Sequence, residues 1–399
     1  MAILFWIIFV IFLVLVWLTM DYILGGENHR KASKEMTFSE KYGEIHLFTD
    51  GAKLMNDLLS NIQNATQYVH IQFYIVKNDD ISKKFLSILK KKAKEGVDIK
   101  LLIDWIGSKA FPQSEIEQLK NAGVKFSFGH RPKLPFLFFT LQQRNHRKIS
   151  IIDGQVAYLG GFNVGNEYIN KDEKLSPWRD YHVKLKGASV NDIDQIFRSD
   201  WKRASGEEIQ YSYSVPTFKH GQALHHIIPS EGIMLEEAYI SLINKAADKI
   251  YIGTPYFIPT KKLMDAFIDC LERNVELSLI IPALPDHILI QEASYTFLRQ
   301  ILAAGGNVYQ FQNGFFHGKY ILIDNQVLDI GTANFDRRSL FLNYEVNCYI
   351  YDSVLIDVAS KEIEQDIKQS KSLALQDLQN LGLWIKIKEK IASIVADFL

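Results

Sequence analysis

Residues 1–20 contain no charged side chain, and the run is almost continuously aliphatic or aromatic. A helix rises about 1.5 Å per residue, so this stretch reaches roughly 30 Å, enough to cross the hydrocarbon core of a bilayer. A cleaved signal peptide needs a basic start and a small-residue cleavage site. This segment begins Met-Ala-Ile-Leu-Phe-Trp and leaves through Thr19-Met20-Asp21-Tyr22, which predicts an uncleaved transmembrane anchor over 1–22. Arg30, Lys31 and Lys34 follow it while nothing basic precedes it. The positive-inside rule then makes this a single-pass protein of the cell membrane with its bulk on the cytoplasmic side.

From Glu44 onward the pattern alternates between periods. It predicts a strand near 45–48, a helix over 53–64, a strand over 68–76, a helix over 82–95 and a strand over 99–105. Such alternation indicates an α/β fold, a sheet covered by helices. Lys83, Lys84, Lys90, Lys91, Lys92 and Lys94 crowd the second of these helices and read as a solvated face. Residues 205–222 lack periodicity and read as a linker, dividing a first half over 36–204 from a second over 223–399. The stretch from 383 to the end is an apolar helix with interspersed lysines, suited either to packing on the domain or to lying on the membrane.

One stretch occurs twice. Asn145-His146-Arg147-Lys148 runs into Ile149-Ser150-Ile151-Ile152-Asp153-Gly154, and His317-Gly318-Lys319 runs into Tyr320-Ile321-Leu322-Ile323-Asp324. His, Lys and Asp are each displaced by 171 positions (146 to 317, 148 to 319, 153 to 324), as are Gly160 and Gly331, and Asn163 and Asn334. Each copy reads as a β-hairpin turning at Asp153-Gly154-Gln155 or Asp324-Asn325-Gln326. Period-two geometry puts His146 with Lys148, and His317 with Lys319, on one face, and turns both aspartates away. With two-residue loops, Asp153 pairs with Val156, and Asn163 then lies opposite His146 and Asn334 opposite His317. An imidazole, an ammonium and a carboxamide together suit a phosphate group. A lone histidine on an apolar strand is ordinarily a satisfied core residue. Two that keep the same five-residue constellation at a constant offset point instead to catalysis.

The pattern H-x-K-x4-D-x6-G-[GT]-x-N, present twice, resembles the phospholipase D superfamily. Thr254-Pro255-Tyr256-Phe257-Ile258-Pro259, Trp178-Arg179-Asp180 and Gly331-Thr332-Ala333-Asn334 resemble segments of bacterial cardiolipin synthases, especially the shorter ones of Gram-positive bacteria. The single N-terminal apolar segment departs from the commoner two-segment pattern. The resemblance implies two similar halves, mixed β-sheets flanked by helices, forming a pseudodimer behind the transmembrane helix. It implies a catalytic set of His146, Lys148, Asp153, His317, Lys319 and Asp324, with Asn163 and Asn334 binding phosphate. For the carboxylates that orient the imidazoles it points to Asp180 for the first half and Glu345 for the second. The implied reaction transfers phosphatidyl from one phosphatidylglycerol to another through a phosphohistidine, giving cardiolipin and glycerol, with neither cofactor nor metal. A phospholipase D-type hydrolase or another phosphatidyltransferase shares the same residues, and which histidine attacks is left open.

Nearly balanced charges sharpen this picture: 45 Lys plus Arg against 46 Asp plus Glu give a net charge of -1. That argues against holding nucleic acid by global charge, and so against a nucleic-acid phosphodiesterase; the expected partners are phosphatidylglycerol and other membrane phospholipids. Cys270 and Cys348 have no metal-ligand spacing and read as buried thiols. The first half holds about ten more residues than the second before its motif, since equivalent positions lie 181 apart at Asp50 and Glu231 but 171 at the histidines. The extra segment is Arg131-Pro132-Lys133-Leu134-Pro135-Phe136-Leu137-Phe138-Phe139-Thr140, with no acidic residue from 120 to 152. It suits a membrane-dipping loop or a helix packed on the second half.

Overall fold

The computed structural model describes residues 2–33, 35–210, 221–287 and 289–395. Its centre is one 16-stranded sheet that runs through both halves. From one edge inward, the first half contributes Lys125–Gly129, Asp98–Asp104, Tyr68–Phe73, Ile149–Ile152, Val156–Gly160, Trp178–Gly187 and Lys41–Asp50. The second half continues outward from there with Ala223–Glu231, Tyr344–Ile350, Val327–Gly331, Tyr320–Ile323, Lys249–Gly253, Glu276–Pro282 and Asn307–Phe311, a short Ser370–Ser372 closes the edge, and Phe315–Phe316, off this path, pairs with Trp178–Gly187. Apart from the edge strand Ser370–Ser372, the order is the same read from either end, so the duplication in sequence is a pseudo-twofold in space.

The halves are not merely abutted. Lys41, Tyr42 and Gly43 pair antiparallel with His225, Leu224 and Ala223, and one apolar core contains Val183, Leu185 and Phe197 together with Ile227, Val346 and Cys348. Parallel strands such as Asp98–Asp104 and Glu276–Pro282 are buried along nearly their whole length because helices cover them, which is why they read as continuous apolar runs. The lysine-rich helix, Asp80–Lys94, buries Phe85, Leu86 and Leu89 and leaves Lys83, Lys84 and Lys91 in water. Cys270 and Cys348 are free and buried. The first half ends with the helix Ser189–Ser205, and Gly206 caps it in the left-handed region at φ +79. Of the expected linker, residues 211–220 lie outside the described residues.

The N-terminal helix spans Ala2–Ala32, carries no charged side chain before Asp21, and is the one helix among the described residues long and apolar enough to cross a membrane. It continues past the expected boundary at 22 because its last turns dock on the body. Asp21 accepts the Phe139 N–H at 2.8 Å, and His29 Nε2 lies 2.6 Å from the Glu231 carbonyl. Gly25 is where the helix comes closest: a Cβ there would stand 2.5 Å from Phe139 Cβ. The 131–140 insertion therefore serves as the anchor's seat, through the short helix Leu137–Gln142. The end of that helix touches the second half, since Arg338 donates to the Gln142 carbonyl at 2.8 Å, and the insertion leaves Leu134 80% exposed. At the other end, the helix Leu383–Val395 packs on Ile290–Ala303 through the Arg299–Glu389 ion pair, with Leu383 and Trp384 outward.

Candidate active site

Each hairpin turns through three residues, not two. Ile152 pairs with Val156 and Ile323 with Val327, so the register is one residue off the expected pairing of Asp153 with Val156. The cause is the aspartate. Asp153 sits at φ +51 and accepts from the backbone N–H groups of Thr66, Gln67 and Tyr68 at 2.8, 2.8 and 2.9 Å. Asp324, at φ +52, does the same for Ala247, Asp248 and Lys249. Both carboxylates are thereby spent on anchoring the turn to the neighbouring strand, at the hairpin end away from the histidines. Grouped with the catalytic residues on the motif, Asp153 and Asp324 have a structural position here.

The slip also separates Asn163 and Asn334 from the positions opposite the histidines. The hairpin ladders end at Leu159 and Ile330, the strands themselves at Gly160 and Gly331, and each asparagine lies beyond. Asn163 Oδ1 accepts the Ile75 N–H at 3.0 Å and its Nδ2 donates to the Tyr168 hydroxyl at 3.3 Å. Asn334 Nδ2 donates to Asp336 at 3.0 Å. Neither carboxamide stands directly opposite its histidine as the two-residue loop predicts; each is held by protein groups in the loop beyond the strand.

The histidines precede their strands and are tied instead to the opposite half. His146 N–H donates to the Tyr344 carbonyl at 3.0 Å, and His317 N–H to the Arg179 carbonyl at 2.7 Å. Those carbonyls belong to the residues just before Glu345 and Asp180. Side chains follow the backbone: His146 Nδ1 stands 2.9 Å from Glu345 Oε2, and His317 Nδ1 2.5 Å from Asp180 Oδ2. The expected assignment by half is thus exchanged, Glu345 serving the first-half histidine and Asp180 the second. A carboxylate on Nδ1–H fixes the tautomer and leaves Nε2 with a free lone pair.

Each lysine folds back on its histidine, Lys148 Nζ donating to the His146 carbonyl at 2.7 Å and Lys319 Nζ to the His317 carbonyl at 2.6 Å. Burial holds the His146 imidazolium down at about 4 against the pull of Glu345, and burial with Lys319 holds His317 at about 4 against Asp180. Burial likewise brings Lys148 to about 7 and Lys319 to about 8, opposed by Glu345 and Asp180. For Asp180 and Glu345 burial favours protonation, yet Lys319 with His317, and His146 with Lys148, outweigh it and keep both ionised. The four bases feel one another across the halves, so this is one cluster.

Several contributors were not singled out from the sequence for these roles. Tyr74 has its ring 4.9 Å from that of His146 and 5.3 Å from Lys148 Nζ, and Trp178 stands 4.9 Å from His317. Glu345 accepts from Thr332 and Ser339 hydroxyls at 2.6 and 2.9 Å. In the first half Gly161 takes the place of Thr332, and a Cβ on it would stand 2.0 Å from the Asp180 carboxylate, so the small residue admits the acid. The recurring G-[GT]-x-N signature carried this signal. Among the described residues no three His, Cys, Asp or Glu side chains gather as a metal cluster.

Residues 58–201 and 239–367 match the family described as cardiolipin synthase, PLD-like domain. Minor cardiolipin synthase ClsB of Bacillus subtilis (strain 168) is 40% identical over 371 residues, covering 93% of this chain and 92% of that protein. A cardiolipin synthase of Staphylococcus aureus (strain Mu50) is 35% identical over 363 residues, covering 89% and 74%. Among solved structures, phosphatidylserine synthase of Haemophilus influenzae Rd KW20 shares the fold with a TM-score of 0.70 at 17% identity, covering 94% of this chain and all of that one. With two copies of the motif in one fold and relatives matching over nearly its whole length, the chain belongs to the cardiolipin synthase family of phospholipase D-like phosphatidyltransferases.

Proposed function

We propose that the protein makes cardiolipin by transferring a phosphatidyl group from one phosphatidylglycerol to a glycerol hydroxyl of another, through a phosphohistidine, at the cytoplasmic face of the membrane. The observation that carries this reading is the crossed pairing of His146 with Glu345 and His317 with Asp180, beside Lys148 and Lys319. One neutral imidazole attacks phosphorus through Nε2. The P–N bond forms, the P–O bond to the glycerol head group breaks, and the other histidine gives its proton to the departing oxygen. In the second step a hydroxyl of the acceptor attacks the same phosphorus, the P–N bond breaks, and its proton returns to the second histidine. The incoming phosphodiester brings the negative charge that favours an imidazolium otherwise suppressed by burial. Lys148 and Lys319 meet the charge on the non-bridging oxygens.

Water competes with the acceptor hydroxyl, so the burial of His146 and His317, 9% and 7% exposed, supports transfer over hydrolysis. The test is to supply the full-length protein in mixed micelles with phosphatidylglycerol and weigh the products. Cardiolipin plus glycerol is expected. Phosphatidic acid alone would make the protein a hydrolase, and absence of both would end the proposal.

A further inference from the structure

The halves match in histidine, lysine and carboxylate but differ around the motif asparagine. In the first half both ends of the Asn163 carboxamide are engaged by protein. In the second, Asn334 Nδ2 donates to Asp336 Oδ2, which fixes the amide's orientation because a carboxylate only accepts. Its Oδ1 is left buried with no partner. An orphaned acceptor in a site calls for a donor.

Two more acceptors stand nearby. Asp336 occupies the position that, 171 residues earlier, is Gly165. Phe257–Ile258 pairs in parallel with Phe335–Asp336, which brings Tyr256 beside the Asn334 turn, and the Tyr256 hydroxyl donates to Asp286 Oδ2 at 2.5 Å. Asp286 follows the strand Glu276–Pro282; the corresponding first-half stretch after Asp98–Asp104, residues 105–114, contains no carboxylate. The charges of Asp286 and Asp336 both reach Lys319, and that of Asp286 reaches His317. One wall of the cluster is thus built of hydrogen-bond acceptors. Such a wall repels a phosphate and attracts hydroxyl groups.

We propose that Asn334, Asp336 and the Tyr256–Asp286 pair form a polyol subsite that holds the free hydroxyls of a glycerol head group and so selects the acceptor. This rests on the transferase reading above and names the part of the site that recognises the second phosphatidylglycerol. One head-group hydroxyl attacks phosphorus while its neighbour donates to this wall.

The test lets phosphatidylglycerol and ethanol compete as acceptors in one reaction with the full-length protein. Ethanol has no second hydroxyl, so the ratio of cardiolipin to phosphatidylethanol reads the subsite independently of how much enzyme is active. Asp286→Asn and Tyr256→Phe should each lower that ratio about tenfold, the effect of one lost hydrogen bond to a charged group. Asp286→Glu, which keeps the acceptor, should hold it nearer the wild-type value. A ratio unchanged in both Asp286→Asn and Tyr256→Phe overturns the subsite while wild-type cardiolipin formation still stands. Wild-type protein that yields phosphatidylethanol or phosphatidic acid but no cardiolipin overturns the reading beneath it.

Discussion

His146 and Glu345 lie 199 positions apart and in opposite halves, yet the imidazole Nδ1 stands 2.9 Å from the carboxylate. The pseudo-twofold mate of this contact joins His317 to Asp180. Each half therefore supplies a reactive base and the acid that orients the other half's base. A half on its own carries no oriented histidine, which gives a physical reason for the duplication to persist in one chain.

Removing one acid should disturb one histidine, and not the one in its own half. Glu345→Gln keeps the shape and the capacity to accept from Thr332 but loses the charge that holds the His146 tautomer. Turnover is expected to fall by about 10²–10⁴-fold. In nitrogen NMR of labelled histidine, the His146 ring signals should move while those of His317 stay. Asp180→Asn should do the reverse; if Glu345→Gln shifts His317 instead, the crossed arrangement is wrong.

His146→Ala and His317→Ala should each lower turnover by about 10⁴-fold or more, since one base attacks and the other shuttles the proton. A variant that keeps near wild-type rate contradicts a two-histidine mechanism. Quenching each variant with labelled lipid and looking for phosphate on protein identifies the nucleophile: the variant lacking it accumulates none.

Strands, helices and the repeated motif were legible because their information is local. Apolar residues at period two and 3.6 are dense in this chain, and a constant offset of 171 needs only the sequence to be compared with itself. Register was not legible, because it is set by Asp153 reaching Thr66, 87 positions away. The family resemblance names Asp180 and Glu345 as the orienting carboxylates, but nothing local in the sequence says which half's histidine each one faces, and the fold crosses the expected pairing. The seat of the anchor was hidden for the same reason, since Gly25 and Phe139 acquire meaning only against each other.

The lysines should limit the enzyme at alkaline pH. With Lys148 brought to about 7 and Lys319 to about 8, the ammonium charge is lost as pH rises through that window. In the free enzyme this weakens capture of the phosphodiester, so kcat/KM should fall from about pH 7 upward. The maximal rate kcat should resist the change longer, because bound phosphate restores the ammonium. A pH profile of kcat/KM that stays flat to pH 10 would show that neither lysine titrates there.

Gly25→Val tests whether the anchor does more than tether. The added side chain has no room against Phe139 and Phe136, whose Cβ atoms would stand 2.5 and 3.0 Å from the new Cβ. The body should then come loose from the helix while the span itself stays intact. The variant should remain with membranes after a high-salt wash, yet lose severalfold more activity on bilayers than on detergent-dispersed lipid. Equal losses in both would mean that the docked geometry does not present the site to the bilayer.

Asp329 sits inside the second half with Oδ2 accepting from Asn347 Nδ2 at 2.6 Å and Oδ1 without a partner. Burial pushes its carboxyl up to about 8, only partly offset by Asn347, whereas an unfolded aspartate titrates near ~4. The folded state therefore holds a proton that the unfolded chain releases. The stability this group contributes is fully present below about pH 4, declines by at most about 1.4 kcal/mol per pH unit as pH rises, and is gone above about 8. Asp329→Asn is neutral throughout, still accepts from Asn347, and can donate to Asn347 Oδ1 or the Tyr349 hydroxyl, both buried and unpartnered. In urea unfolding, the variant should differ least from wild type at about pH 4 and below, where folded Asp329 holds its proton and the unfolded residue holds much of it too. Its advantage should widen through pH 6.5 and level off above pH 8. Parallel midpoints across that range would mean that Asp329 is ionised in the fold and that its proton plays no part in stability.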